Sequence, residues 1–355
     1  MPRQNYAILD SFGLEIETEG IIRGSLPREF RAYFSEDHDA SIETPVFKDP
    51  EIDDIYFIEN NDNQNLLPIT VGDELVSRVL DINDPEVPKI LGRLTEWLYE
   101  NGESEESFRA GTHIHICMPY NLAILQNFVR LVKFSEQIFY YIGGQGYQFR
   151  GTLNDFTYCR PMTSFGPSVI HTTPPIQAFN LNNMERAKTL EHFFDSYGMN
   201  YNNPPGKYNP SRYNWFTFYP LLTKGTVELR VLNKSLNPGY IMAAVHLFRA
   251  FCARAINTVP ELPTNSIYDE HNKDKVTYDL GLLLDLLGFD NNKVVRTLFN
   301  IIKRTPDIVI NKEYIYTHLR PGRYSTYVPN YSKVETLEFK EIKNPNFVDI
   351  HTLGR

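Results

Sequence analysis

Phe12-Gly13-Leu14-Glu15-Ile16-Glu17-Thr18-Glu19 decides how this chain is read. Its alternation has the period of a β-strand, in which side chains at i and i+2 share a face. Glu15 and Glu17 therefore project together, and Leu14 and Ile16 point to the other side. Neighbouring carboxylates repel unless something positive lies between them, and a hard divalent cation such as Mg²⁺ meets that need through oxygen ligands. The same grammar recurs in Asp39-Ala40-Ser41-Ile42, Glu74-Leu75-Val76-Ser77, Gly111-Thr112-His113-Ile114-His115-Ile116 and Gly225-Thr226-Val227-Glu228-Leu229-Arg230-Val231-Leu232. If these segments are strands of one sheet, one face carries Leu14, Ile16, Ile114, Ile116, Val227, Leu229 and Val231 and packs on helices. The other face gathers carboxylates, two imidazoles and a guanidinium. A single Glu-x-Glu or Glu-x-Arg pair is ordinarily just solvated. Together, however, these are metal- and phosphate-binding residue types in otherwise apolar segments, which points to a chemical face.

Composition bounds the alternatives. With 355 residues and 42% hydrophobic content, the chain can fill the core of one large domain or two small ones. Lys plus Arg number 35 and Asp plus Glu 44, a formal charge of −9. That balance disfavours broad attraction to nucleic acid or an anionic membrane, and it leaves room for a local basic pocket. The three cysteines, Cys117, Cys159 and Cys252, are widely spaced with no Cys-x-x-Cys pair, which fits a reducing cytoplasm. Met1-Pro2-Arg3-Gln4-Asn5 does not open a signal peptide. The longest apolar stretch, 122–142, is broken by Gln126, Asn127, Arg130, Lys133 and Glu136 and reads as an amphipathic helix, not a membrane span.

Taken in order, the chain predicts strands at the Glu15 segment and at 41–47, an Asp/Asn/Pro-rich loop over 48–68, and a short strand over 74–80. A helix carrying Ile90, Leu91, Leu94, Trp97 and Leu98 follows and ends at Gly102. The His113 strand comes next, then a long helix from Pro119 to Gly143. Residues 143–220 are rich in Gly, Pro, Asn and aromatics, with one short helix near 185–197, and are expected to form an irregular substrate-covering insertion; a surface decoration or oligomer contact is the alternative. Asn237-Pro238 caps a core helix, and helices near 278–287 and 291–303 complete a single domain over 1–304. Residues 305–355 read as an extended tail. The expected class is α+β, a mainly antiparallel sheet with helices on one face.

The chain has no Gly-x-x-x-x-Gly-Lys-Ser/Thr, Gly-x-Gly-x-x-Gly, Gly-x-Ser-x-Gly or His-Glu-x-x-His motif, which disfavours P-loop NTPases, dinucleotide enzymes, serine hydrolases and zincins. Carboxylates, paired histidines and an arginine on one sheet face suit phosphoryl transfer with Mg²⁺. Phe12-Gly13-Leu14-Glu15-Ile16-Glu17, Asp39-x-Ser41, Glu74-Leu75-Val76-Ser77, Gly111-Thr112-His113-Ile114-His115, Tyr158-Cys159-Arg160-Pro161 and Gly225-Thr226-Val227-Glu228-Leu229-Arg230 stand in the order found in the putative amidoligase family, which the chain resembles over residues 11–257. It departs from that pattern at Ala110, where the family usually has Cys, and at Arg78, where it has Pro.

The resemblance implies a curved catalytic sheet of the glutamine synthetase and glutamate-cysteine ligase type. It also implies an ATP- and Mg²⁺-dependent carboxylate-amine ligase that works through an acyl phosphate. Carried over by position, Glu15, Glu17, Glu74, His113 and Glu228 are candidate metal ligands, and His113, His115 and Arg230 would contact metal or ATP phosphate. Arg160 and Arg230 would hold phosphate or the substrate carboxylate, and Asp39 would orient the amine. The carboxylate and amine partners remain open among small molecules, peptides and proteins, with a modified base less favoured by the acidic charge. Two rival readings stay open: a metal-dependent hydrolase using the same His/Glu face, and a non-catalytic binding or assembly protein on this fold.

Overall fold

In the computed structural model of the chain, the described residues are 6–39, 42, 44–48, 55–56, 67–103, 110–143, 162–163, 181–203, 210–265, 273–289 and 291–305. Strand β1 (Ser11–Ile22) is central. It runs antiparallel between two later strands, Leu67–Ser77 and Gly111–Cys117, which are β5 and β7. The remaining strands are β2 (Phe34–Asp37), β3 (Thr44–Lys48), β4 (Ile55–Tyr56), β6 (Leu80–Asp81), β8 (Phe216–Thr217) and β9 (Thr226–Asn233). The nine-stranded sheet has the order β4-β3-β5-β1-β7-β9-β8, with β2 also on β5 and β6 also on β1. Every pairing is antiparallel.

The apolar alternation fixes the register. Leu14 faces Ile114, which faces Leu229, and Ile116 joins Phe12 to Val227; all are buried. Seven α-helices are described: α1 (Glu86–Glu100), α2 (Leu122–Gly143), α3 (Leu181–Glu185), α4 (Leu190–Ser196), α5 (Pro238–Ile256), α6 (Lys273–Leu287) and α7 (Asn292–Arg304). Helix α2 packs on β9 and α5 on β7, while α6 and α7 pack on both of these helices. This is the mixed architecture of an antiparallel sheet with packed helices that the alternation predicts. Among the described residues only α5 is long and apolar enough to cross a membrane, and it is mostly buried as a core helix.

Several boundaries differ from expectation for local reasons. Helix α2 starts at Leu122, not Pro119, because the Asn121 side chain accepts the Ile124 N–H at 3.0 Å. The single helix expected near 185–197 is two, since Thr189 caps α4 by accepting the His192 N–H at 3.1 Å. Strand β5 begins at Leu67, well before Glu74, and β3, β4 and the start of β5 are strand within or beside the expected 48–68 loop. Glu136 is not a solvated break in α2: it is fully buried and accepts hydrogen bonds from Met162 N (2.5 Å), Thr163 N (3.0 Å), Trp215 Nε1 (2.9 Å) and the Thr163 hydroxyl. The described part of 143–220 contributes aromatic side chains to the core: Phe193, Phe194, Tyr197, Trp215, Phe216 and Phe218 are buried. Phe218 meets the Phe216 and Tyr197 rings edge-on at 4.9 and 5.3 Å. Residues 144–161, 164–180, 204–209 and 306–355 lie outside the described residues.

Two contacts lie where the register between β1 and β5 shifts. The paired register shifts between Thr18 and Ile22, and Gly72 sits across this irregularity at φ +91°. A Cβ on Gly72 would stand 2.7 Å from the Ile42 carbonyl oxygen and 3.1 Å from that of Thr18. Gly72→Ala is expected to cost at least about 1–2 kcal/mol from the left-handed backbone alone, measured as a lower urea midpoint with an unchanged slope. On the other edge, Glu103 accepts from Glu19 N (2.9 Å) and Gly20 N (2.7 Å) and pairs with the ammonium of Lys234; neither charged side chain is exposed.

Candidate active site

Strand register brings together charged residues far apart in sequence. Glu15 lies opposite His113, Glu17 opposite Glu74, and Asp37 opposite Glu74 from the next strand. His115 lies between Gly13 on β1 and Glu228 on β9. Ile114 pairs with Leu229 but Thr112 pairs with Leu232, so two residues of β9, Arg230 and Val231, oppose the single His113. This bulge corrects the expected apolar row: Leu232 continues it beside Thr112 and Ile16, while Val231, also buried, belongs to the bulge.

The side chains converge accordingly. His113 Nδ1 is 3.3 Å from Glu15 Oε2 and 3.8 Å from Glu228 Oε1, and its Nε2 is 3.6 Å from Glu17 Oε1. His115 Nε2 is 3.1 Å from Glu15 Oε1 and 3.8 Å from Glu228 Oε1. Arg230 Nη1 donates to Glu228 Oε1 at 2.5 Å, and Gly111 N donates to Glu17 Oε2 at 2.5 Å. Glu15, Glu17, His113, His115, Glu228 and Arg230 are all buried, whereas Glu74 and Asp39 are half-buried. A buried polar ensemble of this kind survives only because each charge has an opposite neighbour.

Its protonation follows from those neighbours. Burial pushes Glu15 up, but the positive charge of His115 and hydrogen bonding with both imidazoles outweigh it and hold the carboxyl well below the ordinary range. Burial likewise opposes ionisation of Glu228, and Arg230 with His115 more than reverses that. His115 is disfavoured as a cation by burial, yet Glu228 and Glu15 raise its proton affinity overall. Glu74 differs: burial first, then the carboxylates of Glu15, Glu17 and Asp39, push it up to about 8, with Arg230 opposing weakly. At neutral pH it holds a proton that a cation could replace.

Three groups of ligand atoms, each within 4.8 Å of one another, could hold a metal ion: Glu15, His115 and Glu228; Glu15, Glu74 and His113; and Glu17, Asp39 and Glu74. Glu15 belongs to two of them, and so does Glu74. His115 Nε2 is buried without an aligned hydrogen bond, while its Nδ1 lies 3.2 Å from Thr226 Oγ1. With Thr226 accepting from Nδ1–H, Nε2 is the nitrogen that faces Glu15 and Glu228; these carboxylates favour a proton there, and a metal ion bound by Nε2 would take that proton's place.

All the sequence-derived candidates among the described residues, Glu15, Glu17, Asp39, Glu74, His113, His115, Glu228 and Arg230, therefore stand in one cluster; Arg160 and Ser41 lie outside the described residues. Two members were missed. Lys224 reaches to 3.6 Å from Glu15 Oε1, and Thr226, the first residue of β9, lies 3.2 Å from His115 Nδ1; a lysine in a turn carries no periodic signal, whereas Thr226 alternates with Glu228 and Arg230 and could have been found from that spacing. Of the two departures, Arg78 lays its guanidinium over the Tyr33 ring, 4.4 Å from the centroid, and Ala110 is buried with its carbonyl accepting from Lys234 N.

No curated protein matches the chain. Comparison with protein families matches residues 10–252, more than half of it, to the family described as putative amidoligase enzyme. The matched span runs from the start of β1 into α5 and so contains, among the described residues, every strand and every residue of the cluster. The chain belongs to the putative amidoligase family.

Proposed function

We propose that this protein is an ATP- and Mg²⁺-dependent carboxylate-amine ligase that forms an amide through an acyl phosphate. The observation that carries the reading is the overlap of three cation-donor sets on one buried sheet face through the shared Glu15 and Glu74. The donors fit such an ion: they are mostly carboxylate oxygens, as a hard cation prefers, supplemented by a histidine nitrogen left without an aligned hydrogen bond. Held by these residues, Mg²⁺ would offset the negative charge that develops during phosphoryl transfer. In the reaction, the γ-phosphorus of ATP bonds to a carboxylate oxygen as its bond to the ADP oxygen breaks. The amine nitrogen then attacks the acyl carbon, phosphate leaves with its oxygen, and the nitrogen gives up a proton.

This chain's residues divide that work. Glu15, Glu17, Glu74, His113 and Glu228 would hold the metal, with His115 joining through Nε2. Arg230, fixed by Glu228, would face phosphate or carboxylate oxygens, and Asp39 would orient the amine beside Glu74. Arg160 keeps its proposed anion-holding role from the family motif, and the glutamine synthetase-like curvature of the sheet belongs to the same proposal. Incubation with ATP, Mg²⁺ and pooled carboxylates and amines is expected to give inorganic phosphate and a product one water lighter than its two precursors. Tightly held zinc, iron or manganese together with hydrolysis and no nucleotide dependence would instead favour the hydrolase, a reading prompted by the histidine in two of the three donor sets.

The proton on Glu74 gives the cation site a pH signature. Its carboxyl is raised from 4.5 to about 8 in the folded protein, so its contribution to stability is full below pH 4.5 and is lost as pH rises through 8. The cation-free protein is expected to lose thermal stability across that window, and Mg²⁺ to restore more of it at pH 8.5 than at pH 6, because binding displaces the proton. Thermal unfolding at a series of pH values, with and without Mg²⁺, checks both signs.

A further inference from the structure

Lys224 lies in the turn between a short 3₁₀ helix (Tyr219–Leu221) and β9. The turn is built to present it: Lys224 N donates to the Pro220 carbonyl at 2.6 Å, and Gly225 follows at φ +72°, a conformation that suits glycine. Immediately after it, Thr226 pairs with Cys117 at the end of β7 and touches His115. The Lys224 side chain is 63% exposed, yet its ammonium stands 3.6 Å from Glu15 Oε1, and Glu15 belongs to two of the three donor sets. It is the cation at the solvent edge of the cluster among the described residues: Arg230 is buried and paired with Glu228, and the two imidazoles lie beneath.

An ammonium so placed is a substitute for the metal that Glu15 would hold. Once Glu15 gives its charge to a divalent cation, its attraction for Lys224 falls, and like-charge repulsion turns the ammonium outward on its flexible stem. The group that arrives at that edge with the metal is an anion, and an exposed lysine can follow it at little conformational cost. From this geometry we infer that Lys224 exchanges partners: it neutralises Glu15 in the cation-free protein and binds a phosphoryl oxygen of the nucleotide in the loaded one. The inference rests on the ligase reading and adds a specific anion-binding residue to it.

The test uses the full chain and two titrations. Mn²⁺ binding, followed by electron paramagnetic resonance of the free ion, is expected to be as tight or a few-fold tighter in Lys224→Met than in the parent, because a competing cation is removed while all donors remain. Binding of the β,γ-imido analogue of ATP in saturating Mg²⁺ is expected to weaken about tenfold or more in Lys224→Met, the loss of one charge-assisted contact, and to return within about threefold in Lys224→Arg. Equal analogue affinity in parent and Lys224→Met would overturn the inference and leave the ligase reading standing. Failure of the parent itself to bind the analogue would overturn the ligase reading and the inference with it. Loss of Mn²⁺ binding in Lys224→Met would also overturn the inference, since it would make the lysine a support of the donor set instead of its competitor.

Discussion

Glu15→Gln is expected to lower ATP-dependent amide formation by roughly two to three orders of magnitude, the scale seen when one electrostatic element of a preorganised site is removed. Glu15 is the residue to choose because it is shared by two donor sets and lies within 3.3 Å of His113 and 3.1 Å of His115. Glutamine preserves volume but offers only one weak oxygen ligand, and its uncharged amide removes the negative charge that His115 pairs with. The fold should persist, as the apolar row on the opposite side of β1 is untouched. Far-ultraviolet circular dichroism and an unfolding curve accompany the rate measurement; unchanged turnover in a folded variant would count strongly against the site. Glu17→Ala is a poorer probe, because Glu17 also accepts the buried Gly111 N–H and its loss would cost about 1–3 kcal/mol of stability regardless of chemistry.

The second large effect concerns stability and an ion pair beside the Glu19–Gly20 stretch of β1. Lys234 and Glu103 form an ion pair with both side chains fully buried, and Glu103 also holds two N–H groups where β1 leaves its register with β5. Removing one member of such a pair strands the other charge in a medium that cannot solvate it. Lys234→Met is expected to lose about 3–5 kcal/mol, and the double variant Glu103→Gln/Lys234→Met to recover part of that because neither charge remains. Urea unfolding measures both. A loss below about 1 kcal/mol in Lys234→Met would mean that water reaches the pair.

The periodic parts of this architecture were legible. Leu14, Ile16, Ile114, Ile116, Val227 and Leu229 alternate with the charged residues at period two, and two-residue alternation has one structural meaning when a face is buried. What escaped the sequence are features where alternation breaks. The β9 bulge places both Arg230 and Val231 opposite His113, and nothing in Leu229-Arg230-Val231-Leu232 announces the extra residue. Pro68 and Gly72 read as strand breakers, whereas β5 runs through both, Gly72 using a backbone conformation open to glycine. Glu136 and Lys234 look like surface charges locally; their partners at Met162, Thr163, Trp215 and Glu103 are distant in sequence, so burial could not be foreseen. Of the candidate site, the strand-borne ligands were legible as residue types, while the turn-borne Lys224 was not, and Thr226, on the same strand face as Glu228, was passed over as a side chain that is no ligand.

Anomalous diffraction from a crystal grown with Mn²⁺ and the β,γ-imido analogue of ATP tests most directly whether this sheet face is a divalent-cation and triphosphate site. The expected map has manganese peaks within coordination distance of Glu15 and of at least one of Glu74, His113, His115 or Glu228, with analogue phosphates on the metal. Manganese bound elsewhere, or a cluster that stays metal-free while the protein binds the analogue, would contradict it.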